Sequence, residues 1–209
     1  ICAIEQENGE YILLDATSKN SLPDILPLRN LNWVGRMIRE NKTSKEIDLM
    51  PKMISRELIN VMAQIDAEGK ITGKARDQYF DYNAFAFRDY YLKMSRDSYL
   101  EMIEKRYNGV EIGEYTTNND KDLEKPMVET YDFTHTNMVE RIGGKIYFSP
   151  MLYFAKVENP FKQEKREFPV DFPFPYQDKY TFSITIPDGY EIESLPKALS
   201  VVMEENLGS

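Results

Sequence analysis

At 209 residues and 24.5 kDa, with 42% hydrophobic residues, the chain is long enough for one large domain or two small ones. A formal charge of −9 and an isoelectric point near 4.8, with no block of five Lys or Arg, exclude an electrostatic footing for nucleic acid and for an anionic membrane surface. A single cysteine, Cys2, excludes an internal disulfide.

Residues Ile1 to Leu14 read as strand, turn and strand, followed at once by Asp15-Ala16-Thr17. A two-stranded hairpin is marginal alone in water and normally finishes a larger sheet. The chain is therefore expected to be the C-terminal part of a longer protein. An irregular stretch, LPDILPLRNLNWVGRMI, follows, and Pro23 and Pro27 discourage helix there. Trp33, Val34, Met37 and Ile38 are expected to bury against a neighbour. Glu46 to Met50 reads as a short strand stopped by Pro51.

Residues 53–83 carry a long β-hairpin pattern. Ile59, Val61, Ala63 and Ile65 alternate on one face, and Asp66-Ala67-Glu68-Gly69 forms the turn, with Gly69 free to go left-handed. Residues 84–107 change period to that of a helical pair. Ala84, Phe87, Tyr91 and Met94 line one face, and Tyr99, Met102, Ile103 and Arg106 the next. Ser95 or Ser98 caps the second helix, Ser98 with Glu101 in capping-box spacing, and Asn108-Gly109 ends it.

From Val110 the pattern returns to β. Candidate strands are 110–116, 126–134, 145–149, 151–157, 165–170 and 180–186, punctuated by prolines at 160, 169, 173, 175 and 187. Many short strands with Pro/Gly turns predict a β-sandwich or partly open barrel. The last residues end on a turn-like Gly208-Ser209, with a partner strand expected beyond. The domain division is 1–50 and 51–209, with the helical insert at 84–107. No apolar run reaches the roughly 20 residues of a membrane span, so no membrane insertion is expected.

Candidate sites are few. Tyr79, Phe80, Tyr82, Phe85, Phe87, Tyr90 and Tyr91 form the densest aromatic cluster. Such a cluster cements a helix onto a sheet or offers a platform to a sugar or peptide. Asp120, Asp122 and Glu124 alternate carboxylates in a loop, a weak Ca²⁺ pattern that lacks the expected glycine and is diluted by Lys121 and Lys125. They read as a solvated loop, and no cofactor is expected. Asp66, Glu68, Asp77 and Asp81 flank the long hairpin and read as water-facing. His135, the sole histidine, reads as a strand-edge or surface residue, and Cys2 as a buried small hydrophobe. Asp15 ends a strand, where an acid can orient a histidine imidazole.

The segment GEYILLDATSKNSLPDILPLRNLNWVGRMI resembles the end of the core of Bacteroidetes-type transglutaminase-like proteins. The tyrosine strand ending in Asp15-Ala16-Thr17, then Leu26-Pro27, Asn32, Gly35-Arg36 and EIDLMP at 46–51, carries the likeness. REFPVDFPFPY at 166–176 and YTFSITIPDGYEIESLP at 180–196 resemble the same proteins' C-terminal β-rich domain of unknown function. The resemblance implies that 1–50 is a remnant of a papain-like α+β core and that Asp15 is the acid of a Cys-His-Asp triad. The triad's cysteine and histidine belong upstream of Asp15, and none is present there. Cys2 is too close and His135 lies downstream. The expectation is a non-catalytic accessory region whose parent is a cysteine peptidase or amide-bond enzyme of the bacterial periplasm, cell surface or exterior. Its partners would be the N-terminal part of the same protein and a cell-envelope glycan or peptide. The alternative is a carbohydrate- or peptide-binding module using residues 79–91.

Overall fold

The computed structural model describes residues 1–203 except 157, 160, 163 and 166. Its centre is a five-stranded mixed sheet, built from β5 (Ser55–Ile65), β6 (Ile71–Tyr79), β7 (Val110–Asn118), β8 (Met127–His135) and β11 (Tyr176–Thr185), in the order β11-β5-β6-β8-β7. The hairpin expected over 53–83 forms as β5 and β6, from Glu57 opposite Tyr79 to Ile65 opposite Ile71, and Gly69 takes φ +88° in its turn. β11 runs parallel to β5, and the other pairings of this sheet are antiparallel.

Alternation puts Ile59, Val61, Ala63 and Ile65 on the same face as Ile71 and Ala75 of β6 and Tyr131 and Phe133 of β8, all buried. That face is covered by helices. α1 (Asp81–Tyr90) and α2 (Arg96–Arg106) lie between β6 and β7 in sequence and pack Ala84, Phe87, Tyr99 and Ile103 over Met127. Of the two candidate caps, Ser95 fills the role, its Oγ accepting from the Ser98 amide at 3.2 Å. Gly109 ends the insert at φ +92°.

The strand content matches a mainly β domain, but the described residues form no second sheet facing the first and no closed barrel. Helices and a buried turn occupy that layer instead. Two strand assignments change with it. The expected strand 151–157 is a 3-10 turn at Leu152–Phe154. Leu152, Tyr153 and Phe154 are all buried in the core below the sheet, and a strand would turn alternate side chains away. Residues 165–170 carry no strand among those described, where Pro169 has no amide to donate. A short ribbon, β9 (Glu140–Ile142) with β10 (Lys145–Tyr147), turns through Gly143-Gly144. Val157, Pro160, Arg166 and the Gly208-Ser209 ending lie outside the described residues.

The first fifty residues form two further ribbons, β1 (Cys2–Glu5) with β2 (Tyr11–Leu14), and β3 (Val34–Ile38) with β4 (Ser44–Asp48). The second corrects the irregular reading of 34–38. It also leaves Trp33, Val34 and Ile38 exposed, because nothing among the described residues covers the outer side of this two-stranded ribbon. What anchors this region is Ile25, Leu26 and Leu31, buried against Tyr82 and Phe85 of α1, with Phe174 stacked on Tyr82 at 5.0 Å between centroids. The Tyr82 hydroxyl donates to the Asp24 carbonyl at 2.8 Å, and the Asn32 amide to the Phe172 carbonyl at 3.0 Å. No helix among the described residues is long and apolar enough to cross a membrane.

Candidate functional site

The phase that buries Ile59 and Val61 also turns Glu57 inward, and the pairing register carries acids across the covered face. Ile59 sits opposite Asp77, and Asp77 opposite Glu129. α1 with Phe87, α2 with Tyr99 and Ile103, and Tyr91 in the turn between them span these positions. Between helices and sheet lies a cavity of about 250 Å³ whose lining includes Glu57, Asp77, Glu129, Tyr91, Tyr99 and Arg106. Half-buried Glu57, Tyr91 and Tyr107 and exposed Arg106 mark its mouth.

The three carboxyls differ in their partners. Glu129 is 2% exposed and accepts from three tyrosines. The Tyr79 hydroxyl donates to Oε1, and those of Tyr99 and Tyr115 to Oε2 at 2.8 and 3.1 Å. Burial raises its pKa and the three hydroxyls work in the opposite direction. Asp77 is 4% exposed, and its Oδ1 has no hydrogen-bond partner. Burial and the neighbouring Glu129 and Glu57 push its carboxyl well above the usual range. Glu57 is pushed up to about 7 by burial, then by Asp178 and Glu129, with Lys156 and Arg106 working in the opposite direction. The cavity is thus acidic and aromatic, with one saturated carboxylate in its wall and acceptor capacity left at Asp77.

The aromatic run 79–91 does not assemble as one platform. Successive helical positions send it to three environments. Tyr79, Phe87 and Tyr91 join Tyr99 and Tyr115 over the cavity in a chain of ring contacts 4.8 to 5.8 Å apart. Tyr82 and Phe85 are buried on the opposite side of α1 under the N-terminal segment. Tyr90 is 59% exposed.

Asp15 is buried at the end of β2. Its Oδ1 accepts from the Thr17 amide at 2.7 Å and from the Thr17 hydroxyl, and its Oδ2 from Asn30 at 2.6 Å. Those bonds to Thr17 hold its carboxyl below the usual range against the cost of burial, with Asn30 adding to them. Its Oδ1 serves a local turn, its Oδ2 faces Asn30 and, at 3.9 Å, the Arg29 guanidinium, and His135 is not among its partners. His135 itself corrects the surface reading. It is 5% exposed on β8, an interior strand, where Nδ1 accepts from the Asn137 amide at 3.1 Å and Nε2 lies 3.2 Å from the Asn108 carbonyl. Cys2 is exposed rather than buried, because no second layer packs on the β1–β2 ribbon. Asp77, read as water-facing, is buried because it falls in the inward phase of β6.

The loop holding Asp120, Asp122 and Glu124 is organised by a cation of the protein's own. Arg88 of α1, 4% exposed, donates from Nη2 to the carbonyls of Asn119, Asp122 and Lys125 at 2.9, 2.8 and 2.8 Å. The Asp122 carboxylate pairs with Lys125 at 2.9 Å. Among the described residues no three His, Cys, Asp or Glu side chains converge as metal ligands.

Glu57, Glu129, Tyr99, Tyr115 and Arg106 escape the sequence reading as site residues. The available signal is phase. Glu57 shares the period of Ile59–Ile65, and Glu129 shares that of Met127, Tyr131 and Phe133, so both acids sit at positions patterned for the core.

Residues 144–209 match the family described as Domain of Unknown Function with solved-structure structure (DUF3858). The match agrees with a C-terminal β-rich domain of a larger protein and takes in β10 and β11. No curated protein and no solved structure matches the chain.

Proposed function

We propose that this chain is a non-catalytic accessory region of a transglutaminase-like protein, in which residues 1–50 end a papain-like core and the sheet with its helical insert braces that core. The observation that carries the reading is the anchorage of the N-terminal segment. Ile25, Leu26 and Leu31 bury against Tyr82 and Phe85, and Asn32 reaches the Phe172 carbonyl, so the segment is tied to both the insert and the residues leading into β11. Burial of this kind, at about 1.5–3 kcal/mol per large apolar side chain, makes the segment a firm joint rather than a tether. The match of 144–209 supports membership in a larger protein, and the likeness of the Asp15 region supports the kind of core. The same likeness supports a periplasmic, cell-surface or secreted location.

The second reading, a module for an envelope glycan or peptide, draws on the aromatic content. Burial of Tyr82 and Phe85 takes two rings from the platform it would need. Tyr79, Phe87 and Tyr91 line the cavity, and Tyr90 stands apart from them, exposed.

Peptide-amide hydrolysis measured for the full-length gene product, for its Asp15→Asn variant and for this chain alone tests the reading. Activity confined to the unmodified full-length protein supports it. Hydrolysis by this chain alone overturns it.

A further inference from the structure

We propose that the cavity beneath α1 and α2 binds a small organic cation, a primary alkylammonium group, with the ammonium on Asp77 and Glu57 and the alkyl part against the tyrosine rings. Two independent observations point to a ligand. One is the space itself, about 250 Å³, just below the usual range of small-molecule sites and sufficient for a few heavy atoms. The other is Asp77, 4% exposed, whose side chain lines that space and whose Oδ1 is buried without a hydrogen-bond partner. A buried carboxyl short of donors is costly, and an N–H donor in the cavity would supply one to the Asp77 carboxyl.

The sign of the ligand follows from the charges that face the space. Glu57, Asp77 and Glu129 line it, Asp178 stands beside Glu57, and the cations nearby are Arg106 at the mouth and Lys156 near Glu57. An anion would meet that cluster of carboxyls, whereas an ammonium would offset their mutual repulsion. Glu129 is already saturated by three hydroxyls and serves as wall, which leaves Asp77 and Glu57 to receive the donors. The rings of Tyr91, Tyr99 and Tyr107 line the space and suit both an alkyl chain and a cation, which an aromatic face attracts. A bare metal ion uses none of these rings, and a sugar would find few free donors among hydroxyls committed to Glu129.

The test is calorimetric titration of the whole chain with n-butylammonium chloride in phosphate buffer, at ionic strength held constant with sodium chloride. n-Butanol is run as the neutral isostere. The expected result is saturable one-to-one binding of the ammonium, at least tenfold weaker in both Asp77→Asn and Glu57→Gln, and no saturable binding of the alcohol. Circular dichroism checks that each variant folds. If Asp77→Asn does not, Glu57→Gln, at the half-buried mouth, decides alone. Equal binding of n-butanol would make the cavity a merely apolar void, and unaltered affinity in the folded variants would move the cation elsewhere. Either result overturns the proposal, as does the absence of saturation up to about 100 mM, a concentration at which even the weakest specific binding would register.

Discussion

The hydroxyl of Tyr99, on α2, donates to Oε2 of Glu129, in the middle of β8, at 2.8 Å across the helix–sheet interface. Tyr99 is 7% exposed, so this polar contact forms inside the hydrophobic layer. It fixes how α2 lies on the sheet, since Glu129 also takes the hydroxyls of Tyr79 on the neighbouring strand and Tyr115 on β7. Tyr99→Phe keeps the ring and removes one donor, and should cost about 1–2 kcal/mol. Glu129→Leu strands three hydroxyls without an acceptor and should cost about 3–5 kcal/mol. Urea unfolding at neutral pH, with the midpoint falling and the slope unchanged, checks both.

Stability should fall as the pH rises from about 5 to about 8. Glu57 has an ordinary value of 4.5 and is pushed up to about 7 in the folded protein. Between those values the folded state holds a proton that the unfolded state has released, so its stabilisation is complete below the lower value and lost on rising through the upper. The carboxyls facing Glu57 are Asp178 on β11, Asp77 on β6 and Glu129 on β8, and the opposing cations are Arg106 and Lys156. Asp77 and Glu129 are shifted upward as well and extend the slope. Removing the Glu57 contribution by Glu57→Gln should flatten the profile by up to about 3 kcal/mol. A series of urea titrations across this range, with an unchanged slope in the variant, would defeat the assignment.

Much of this architecture was legible because period and punctuation are local properties. Ile59 to Ile65 announce β5, Gly69 its turn, and Ser95 and Gly109 the limits of α2. The cavity was not legible, because it depends on register. Asp77 meets Glu129 only once β6 and β8 pair, and no property of either strand alone specifies that alignment. Trp33 misled for the opposite reason. A large apolar side chain implies burial only where a second layer exists to cover it, and the β3–β4 ribbon has none. The turn at Leu152–Phe154 was hidden because three consecutive core residues have the composition of a strand.

Arg88 should prove indispensable to the 119–125 loop. Its guanidinium supplies a buried positive charge to three carbonyls of the loop whose carboxylates form the weak Ca²⁺ pattern in the sequence. Arg88→Met keeps much of the apolar stem and leaves those carbonyls unpaired, for an expected loss of about 2–4 kcal/mol. Arg88→Lys should recover little, since an ammonium on a different stem cannot reproduce the planar fork. Amide hydrogen exchange should accelerate selectively over residues 119–125 in both variants before the global transition moves. Wild-type protection of that loop in Arg88→Lys would show that charge alone suffices.

Gly73→Ala should destabilise the protein, although alanine is ordinarily the better residue inside a strand by about 0.5–1 kcal/mol. Gly73 lies in β6 between Ala63 and Phe133. A Cβ there would collide with the Met62 carbonyl oxygen and stand 2.7 Å from Cζ of Phe133. The ring cannot simply withdraw, because it meets Tyr153 edge-on at 5.0 Å, and Tyr153 is itself packed on Tyr107 and Phe154. Overpacking of this kind costs about 1–3 kcal/mol. Trimming the ring separates the two obstacles. If Phe133 is the main one, Gly73→Ala combined with Phe133→Leu should lose less than the sum of the single losses, with a coupling of about 1 kcal/mol in a double-mutant cycle. If the losses simply add, the Met62 carbonyl is the obstacle, and the closeness of β5 to β6 at this point, rather than the ring, is what requires glycine.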